Sequence, residues 1–348
     1  MMMRTHLHTL QDQISSSETA LVNRWGLVQH HPVMKLAYED HERMILQRIV
    51  CLDADGATRG VLPFVRFCHE YGDVIHSLPF LGYGGPVVDE HDQEDTLNRL
   101  IIHLVEYATA ENILTITLCL PPFTSHSGLI ESILQPDYTL QNFFQYIDLK
   151  QPFQQSMGGL QRRKRTRNMR IAGQQGIIVT QDHRETSLKY WYEHIYLPRL
   201  TKTGGAIYPW QVFKALGKAA EQHRVLIQYA MKEDQMIGGG IYLKQPCSLD
   251  NYMRVVSDEG LTMGAGILLD WSSLEYAQNE KYDYYNWQSC DAVGSDIYRY
   301  KESWGSQIAY HQYMTKVTGC LETLKEKGLQ SIKEAYAGVF VIPFSELK

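Results

Sequence analysis

At 348 residues, with 44% apolar and 21% charged side chains, the chain is long enough for two domains of roughly 150 residues, each with its own core. Its net charge of −6, from 33 basic and 39 acidic residues, excludes a coat of positive charge made for long nucleic acid and leaves room for a local basic patch. The six cysteines (Cys51, Cys68, Cys119, Cys247, Cys290 and Cys320) show no CxxC or regular spacing, which argues against a zinc site or a disulfide framework and makes a reducing cytoplasm the default.

No secretory signal follows Met1-Met2-Met3-Arg4, and no segment approaches the roughly 20 apolar residues that cross a bilayer. The 14 histidines have no ligand spacing to one another. The expectation is a cytoplasmic protein with no membrane span, no metal and no tightly bound cofactor. Oligomeric state is not legible.

The first 30 residues read as a helical lead-in, capped by the polar run from Gln11 to Thr19. Strands are predicted at Ile45–Val50 and Gly60–Phe67, around the hairpin signal Asp53-Ala54-Asp55-Gly56. A third strand, Val74–Leu78, runs into Ser77-Leu78-Pro79-Phe80-Leu81-Gly82-Tyr83-Gly84-Gly85. There Pro and three closely spaced glycines allow backbone to approach a ligand. Leu97, Leu100, Ile101, Leu104, Val105 and Ala108 recur at helical spacing between Asp92 and Asn112. Ile113–Leu120, stopped by Pro121-Pro122, and Phe143–Leu149 are further strands. They close a first domain, 1–150.

Residues 151–348 repeat that grammar. A basic helix from Pro152 to Gln174 leads to a strand at Ile177–Thr180 and helices at Arg184–Leu200 and Pro209–Gln222. A meander follows at Val225–Met231, Ile237–Leu243 and Ser248–Val255. Gly264-Ala265-Gly266 opens a helix bearing Ile267, Leu268, Trp271, Leu274 and Ala277; a strand at Tyr282–Trp287 and strands near Ile308–Thr315 complete the chain. The fold class is α/β (α+β): two tandem copies of one fold, without a residue-level repeat.

Several constellations carry chemistry. In Tyr298-Arg299-Tyr300-Lys301-Glu302-Ser303-Trp304-Gly305 one lysine sits among aromatics just before a glycine. Lys301 either stabilises the oxyanion of an acyl-transfer intermediate or is a solvated strand lysine beside Glu302. Asp291 and Glu302 are its nearest acids in sequence, as base or as ion-pair partners. Six of the nine residues Arg162–Arg170 are Lys or Arg; on a helix Arg163, Arg167 and Arg170 share one face, while Arg162 and Arg165 point elsewhere. Such a run either holds phosphates or is a solvated face. Tyr83 either lines a cleft or ends a glycine-kinked strand.

These pieces in this order resemble the Fem-type (FemABX-like) peptidyl- and aminoacyltransferases, built from two GNAT-like acyltransferase domains in tandem. The likeness rests on residues 77–85, on the strand Tyr146–Leu149 leading through Arg162–Arg170 to Ile177, on the helix after Gly266, and on residues 295–306. It spans about residues 60–315. The chain departs from the pattern at Asn286-Trp287-Gln288-Ser289-Cys290, where relatives often read aspartate-phenylalanine-glycine-arginine-serine, and it lacks the long coiled-coil arm of some members.

The resemblance implies two domains, each a mixed, mostly antiparallel sheet flanked by helices, with the acyl-transfer cleft in the C-terminal one. It implies transfer of an acyl or aminoacyl group from acyl-CoA or aminoacyl-tRNA, as co-substrate, to an amine-type acceptor. It makes Lys301 and Asp291 catalytic candidates. Gly264, Ala265, Gly266, Arg163, Arg167 and Arg170 are donor-binding candidates, and Tyr83, Gln288, Tyr300 and Trp304 substrate-binding ones. GNAT enzymes place the pyrophosphate of coenzyme A on a turn like Gly264–Gly266, although Leu261 stands where an Arg or Gln is usual. A tRNA acceptor arm is the partner that suits the basic helix. The alternative is a non-catalytic GNAT-like module that binds a cell-envelope precursor or carrier.

Overall fold

In the computed structural model the residues described are 3–9, 11–89, 93–290 and 292–347. They divide into two compact units, one of residues 1–142 with 310–348 and one of residues 143–309.

In the first unit strands Arg4–Thr9, Met44–Leu52, Thr58–Phe67 and Val74–His76 pair antiparallel in that order. Val74–His76 then runs parallel to Thr115–Cys119, which is antiparallel to Tyr313–Val317 of the strand Gln307–Val317. Helix Gln93–Ala110 makes the crossover between the parallel strands. It buries Leu97, Leu100, Ile101, Leu104 and Ala108 against Ile49, Leu62, Phe64 and Ile116, each large side chain contributing about 2 kcal/mol of apolar burial. Helix Ser16–Trp25 covers Val50, Val61 and Val87 with Leu21 and Val22.

The second unit has the same order. Strands Ile177–Gln181, Val225–Lys232, Gln235–Lys244 and Ser248–Val256 pair antiparallel. Ser248–Asp250 is parallel to Tyr284–Asn286, which is antiparallel to Tyr146–Asp148 of the strand Tyr138–Asp148. Helix Ala265–Asn279 is its crossover. With helix Gly159–Gln174 it packs Ala172, Ala265 and Leu269 on Ala230, Ile237 and Val256. A rigid aromatic cluster (Trp191, Tyr192, Tyr196 and Phe213) joins the helical stretch 185–203 to helix Trp210–Glu221.

Two copies of one six-strand order explain why the sequence reads as a repeated grammar. The two copies, however, draw their last strand from different places in the sequence. The strand completing the first unit follows the second unit in the chain, and the strand completing the second unit begins before it. A single boundary at 150 therefore differs from the observed division, which sets residues 310–348 with the first unit.

Two elements correct the expected ones. The N-terminal lead-in holds the edge strand Arg4–Thr9 ahead of its helix. Residues Asp296–Glu302 form a helix capped by the Ser295 side chain, which accepts from the Tyr298 N–H, so Lys301 is not a strand lysine.

Candidate functional site

In the second unit the parallel strands stay together for only three residue pairs, Ser248–Tyr284 to Asp250–Asn286. Beyond them Asn251–Val256 keeps its pairing with strand 235–244 alone. The other strand ends at Asn286, and Gln288 takes a left-handed conformation, φ 62°, that turns the chain away. The gap that opens where parallel strands part is where α/β sheets receive ligands.

Polar side chains meet at that gap. Asp270, on the helix Ala265–Asn279, is fully buried. Its carboxylate accepts from Arg254 Nε at 2.9 Å, from the Tyr300 hydroxyl through a very short bond, and from Asn251 Nδ2 at 3.4 Å. Burial pushes the Asp270 carboxyl up, and the Arg254 charge, the Tyr300 bond and Arg165 oppose that shift. Burial likewise works against the Arg254 charge, yet Asp270 beside it holds the guanidinium above its ordinary value. Tyr300 is raised by burial and by the Asp270 charge, so it remains a neutral donor.

Arg165 is the second cation. It reaches inward from the basic helix, is 93% buried by its 7% exposure, stacks on Tyr300 at 4.6 Å and Trp304 at 4.9 Å, and bonds Ser303 Oγ. Among the described residues Arg254 alone pairs with the Asp270 carboxylate, while the Arg165 charge acts on it from its place against the Tyr300 ring. Arg254 uses its Nε on Asp270, and its side chain stays 23% exposed. The guanidinium lies over the first turn of helix 265–279: a Cβ on Gly266 would sit 2.5 Å from Arg254 Nη1. The glycine there makes room for the arginine. The remaining N–H groups of Arg254 and the positive end of a 15-residue helix meet at one place, an arrangement that takes an anionic oxygen.

Lys301 is buried beside this cluster, and its ammonium donates to the carbonyls of Gln288 (2.9 Å) and Ser289 (2.8 Å). It fastens the segment after strand 284–286. The Gln288 side chain goes to Asp250, which also accepts from Ser248 Oγ at 2.6 Å and Gln245 Nε2 at 3.4 Å. Asp250 is buried, and burial pushes its carboxyl up to about 6. Trp304 is fully buried among Trp271, Trp287 and Tyr300. Gly305, φ 81°, passes so close to Ser156 that a Cβ would lie 2.1 Å from its carbonyl oxygen.

The sequence-predicted residues are therefore distributed unevenly. Gly264, Ala265 and Gly266 begin the helix that Arg254 lies over, Tyr300 bonds Asp270 with Trp304 packed beside it, Gln288 bonds Asp250, and Lys301 holds the Gln288 and Ser289 carbonyls. Arg163, Arg167 and Arg170 stand on the exposed side of their helix, opposite the inward-facing Arg165. Tyr83 belongs to the first unit, where it is buried with its ring edge-on to His311. Asp291 lies outside the described residues. Glu302 is exposed. Among the described residues no cluster of His, Cys, Asp or Glu has a metal-holding arrangement, and no helix is long and apolar enough to cross a membrane.

Sequence reasoning passed over Arg254, Asp270 and Arg165. A signal existed for two of them. Asp270 interrupts the apolar run Ile267-Leu268-Leu269-Asp270-Trp271, and Arg254 is a lone cation in Tyr252-Met253-Arg254-Val255-Val256, each an ionised group in a segment patterned for burial.

Two units with the same six-strand order and a helical crossover in each make up the fold of tandem GNAT-type and Fem-like proteins. Among solved structures the chain is similar to FemX, with a TM-score of 0.65 at 13% identity over 87% of this chain and 96% of that one. It is similar to L-PGS from Bacillus licheniformis, TM-score 0.57 at 10% identity over 88% and 92%. It also resembles a tandem GNAT protein from the clavulanic acid biosynthesis pathway, TM-score 0.52 at 12% identity over 92% and 99%. No protein-family model and no curated protein matches the sequence. At these identities the likeness is one of fold.

Proposed function

We propose that the second unit transfers an acyl or aminoacyl group from a phosphate-bearing carrier to an amine. The observation that carries this reading is the Arg254 guanidinium at the first turn of helix 265–279, held by the buried Asp270 carboxylate, with a second guanidinium, Arg165, stacked on the Tyr300 that also bonds Asp270. An anion completes that charge balance. Coenzyme A thioesters and aminoacyl-tRNA both bring phosphates next to a reactive acyl carbonyl. A fold shared with FemX, with a tandem GNAT protein and with L-PGS supports the same class of reaction.

In this reading Arg254 and the helix N-terminus hold the carrier, and Asp270 with Tyr300 fixes the guanidinium so that no reorganisation accompanies the reaction. The acceptor nitrogen bonds to the acyl carbon, the carrier's C–S or C–O bond breaks, and the amine proton leaves with the carrier's sulfur or oxygen. Proximity supplies most of the acceleration. Lys301 acts as a positioning residue: its ammonium holds the Gln288 and Ser289 carbonyls, and through them the segment that borders the gap.

The test offers purified protein labelled acyl-CoA and charged tRNA pools with a panel of amines. One pool should lose label in a protein-dependent manner, and Arg254→Ala should slow that loss far more than Lys301→Ala. Intact label in both pools, with tight binding of either carrier, would favour the non-catalytic module.

A further inference from the structure

Helix Gly159–Gln174 has a second face that the transfer site does not use. Among its 16 residues are six Lys or Arg and no Asp or Glu. Arg165 and Ala172 are turned inward and buried, whereas Arg162, Arg163, Lys164, Arg167 and Arg170 are exposed. At 100° per residue Leu160, Arg163, Arg167 and Arg170 form one stripe opposite the buried pair, with Lys164 beside it. Among the described residues none of these five cations has a carboxylate within 4 Å. Elsewhere in the same unit Arg184, Lys189, Arg199, Lys202, Lys218 and Lys232 each do. A row of unneutralised cations persists here in a chain whose net charge is −6.

The apolar member of the stripe identifies the partner. Leu160 is 71% exposed, the most exposed large apolar side chain among the described residues. No aromatic residue occurs anywhere in the helix, so unstacked bases would find no platform on it. An aliphatic side chain flanked by arginines matches instead the boundary between anionic headgroups and acyl chains, where the cations meet phosphates and the leucine leaves water. We propose that the outer face of helix 159–174 docks the protein reversibly on an anionic lipid surface. Attraction is confined to this stripe, because the remainder of the molecule carries the opposite sign, and it weakens as salt screens it.

Co-sedimentation with vesicles tests the proposal, using phosphatidylcholine alone and phosphatidylcholine mixed with phosphatidylglycerol. The full chain should pellet only with the mixed vesicles, and less as salt is raised. The triple variant Arg163→Glu, Arg167→Glu, Arg170→Glu should reduce that binding by at least about tenfold. Leu160→Ser, which leaves the charge intact, should reduce it by about threefold or more, since a buried leucine side chain contributes more than that factor. All four positions are exposed, so unchanged unfolding midpoints confirm that the fold is retained. Equal binding to both vesicle types, or binding insensitive to the triple variant, overturns the proposal. So does failure to pellet with either vesicle type while a tRNA mixture is retained on a filter and lost with the triple variant, which would make the stripe an RNA contact.

Discussion

The two units carry the same strand order and line the same topological gap with different chemistry. In the first, Val74–His76 and Thr115–Cys119 also part after three parallel pairs. There the following loop bridges the gap: Ser77 N–H donates to Thr117 O at 2.9 Å, Gly84 N–H to Cys119 O at 2.9 Å, and Cys119 N–H to Ser77 Oγ at 2.7 Å. Its titratable lining is neutral. Burial lowers His76 and His311 to about 4 and pushes the Cys119 thiol to about 12. In the second unit the same gap holds two guanidiniums and one carboxylate. One fold thus supports a seam bridged by backbone and hydroxyl bonds and a seam lined by charge, and the difference lies in the side chains after the parting strands rather than in topology.

That contrast can be broken by substitution. The largest effect should come from Arg254→Ala, which removes the cation facing the carrier. Transfer should fall about 10³-fold, near 4 kcal/mol of barrier, in single-turnover assays; a loss under about tenfold would mean that Arg254 only buttresses Asp270. Next comes Asp250. Its folded pKa of about 6 lies above the ordinary 3.8, so the folded state binds the proton more readily. That contribution to stability is fully present below about pH 4 and is lost as pH rises through 6, roughly 3 kcal/mol in all. Asp250→Asn should remove that part of the slope when urea midpoints are compared at about pH 4 and about pH 7.5. Parallel wild-type and variant profiles would show that Asp250 is not held this way.

Ser77→Ala tests the bridged seam. It leaves the Cys119 N–H without an acceptor and should cost about 2 kcal/mol of stability, with transfer per folded molecule unchanged. A loss of transfer would give the first unit a part in the chemistry. The smallest effect is expected from Gly266→Ala. A methyl group 2.5 Å from Arg254 Nη1 must displace the guanidinium, which should slow transfer about tenfold, near 1.4 kcal/mol, with little change in the unfolding midpoint. Full activity would separate the arginine from the helix turn.

Elements with strong apolar periodicity were legible. The helix carrying Leu97, Leu100, Ile101 and Leu104 and the hairpin around Asp53–Gly56 lie where the pattern predicts. At that turn Asp53 Oδ1 accepts from the N–H groups of Asp55 and Ala57. Strand Arg4–Thr9 was not legible, because an edge strand alternating His and Thr with a single Leu carries little apolar signal. Helix Asp296–Glu302 is short, and its aromatics fit a strand as well as a helix; only the Ser295 cap marks it. The glycine turn at 264–266 was visible as a helix start. The arginine that uses it comes from ten or more residues earlier, on a strand, and no local pattern announces that meeting. Lys301 stands out in the sequence as a cation among aromatics, but its two carbonyl partners belong to a segment whose left-handed turn at Gln288 is accompanied by a side-chain bond to Asp250.

That the first unit takes its final strand from beyond residue 309 has a consequence for synthesis. Residues 143–309 are contiguous, so the second unit can complete its sheet once Ala309 has left the ribosome. The first unit cannot: strand Thr115–Cys119 has no antiparallel partner until residues 313–317 emerge. For that interval one edge of strand Thr115–Cys119 has no partner and is open to pairing with another nascent chain. The earlier-made half of this molecule is the later one to finish folding.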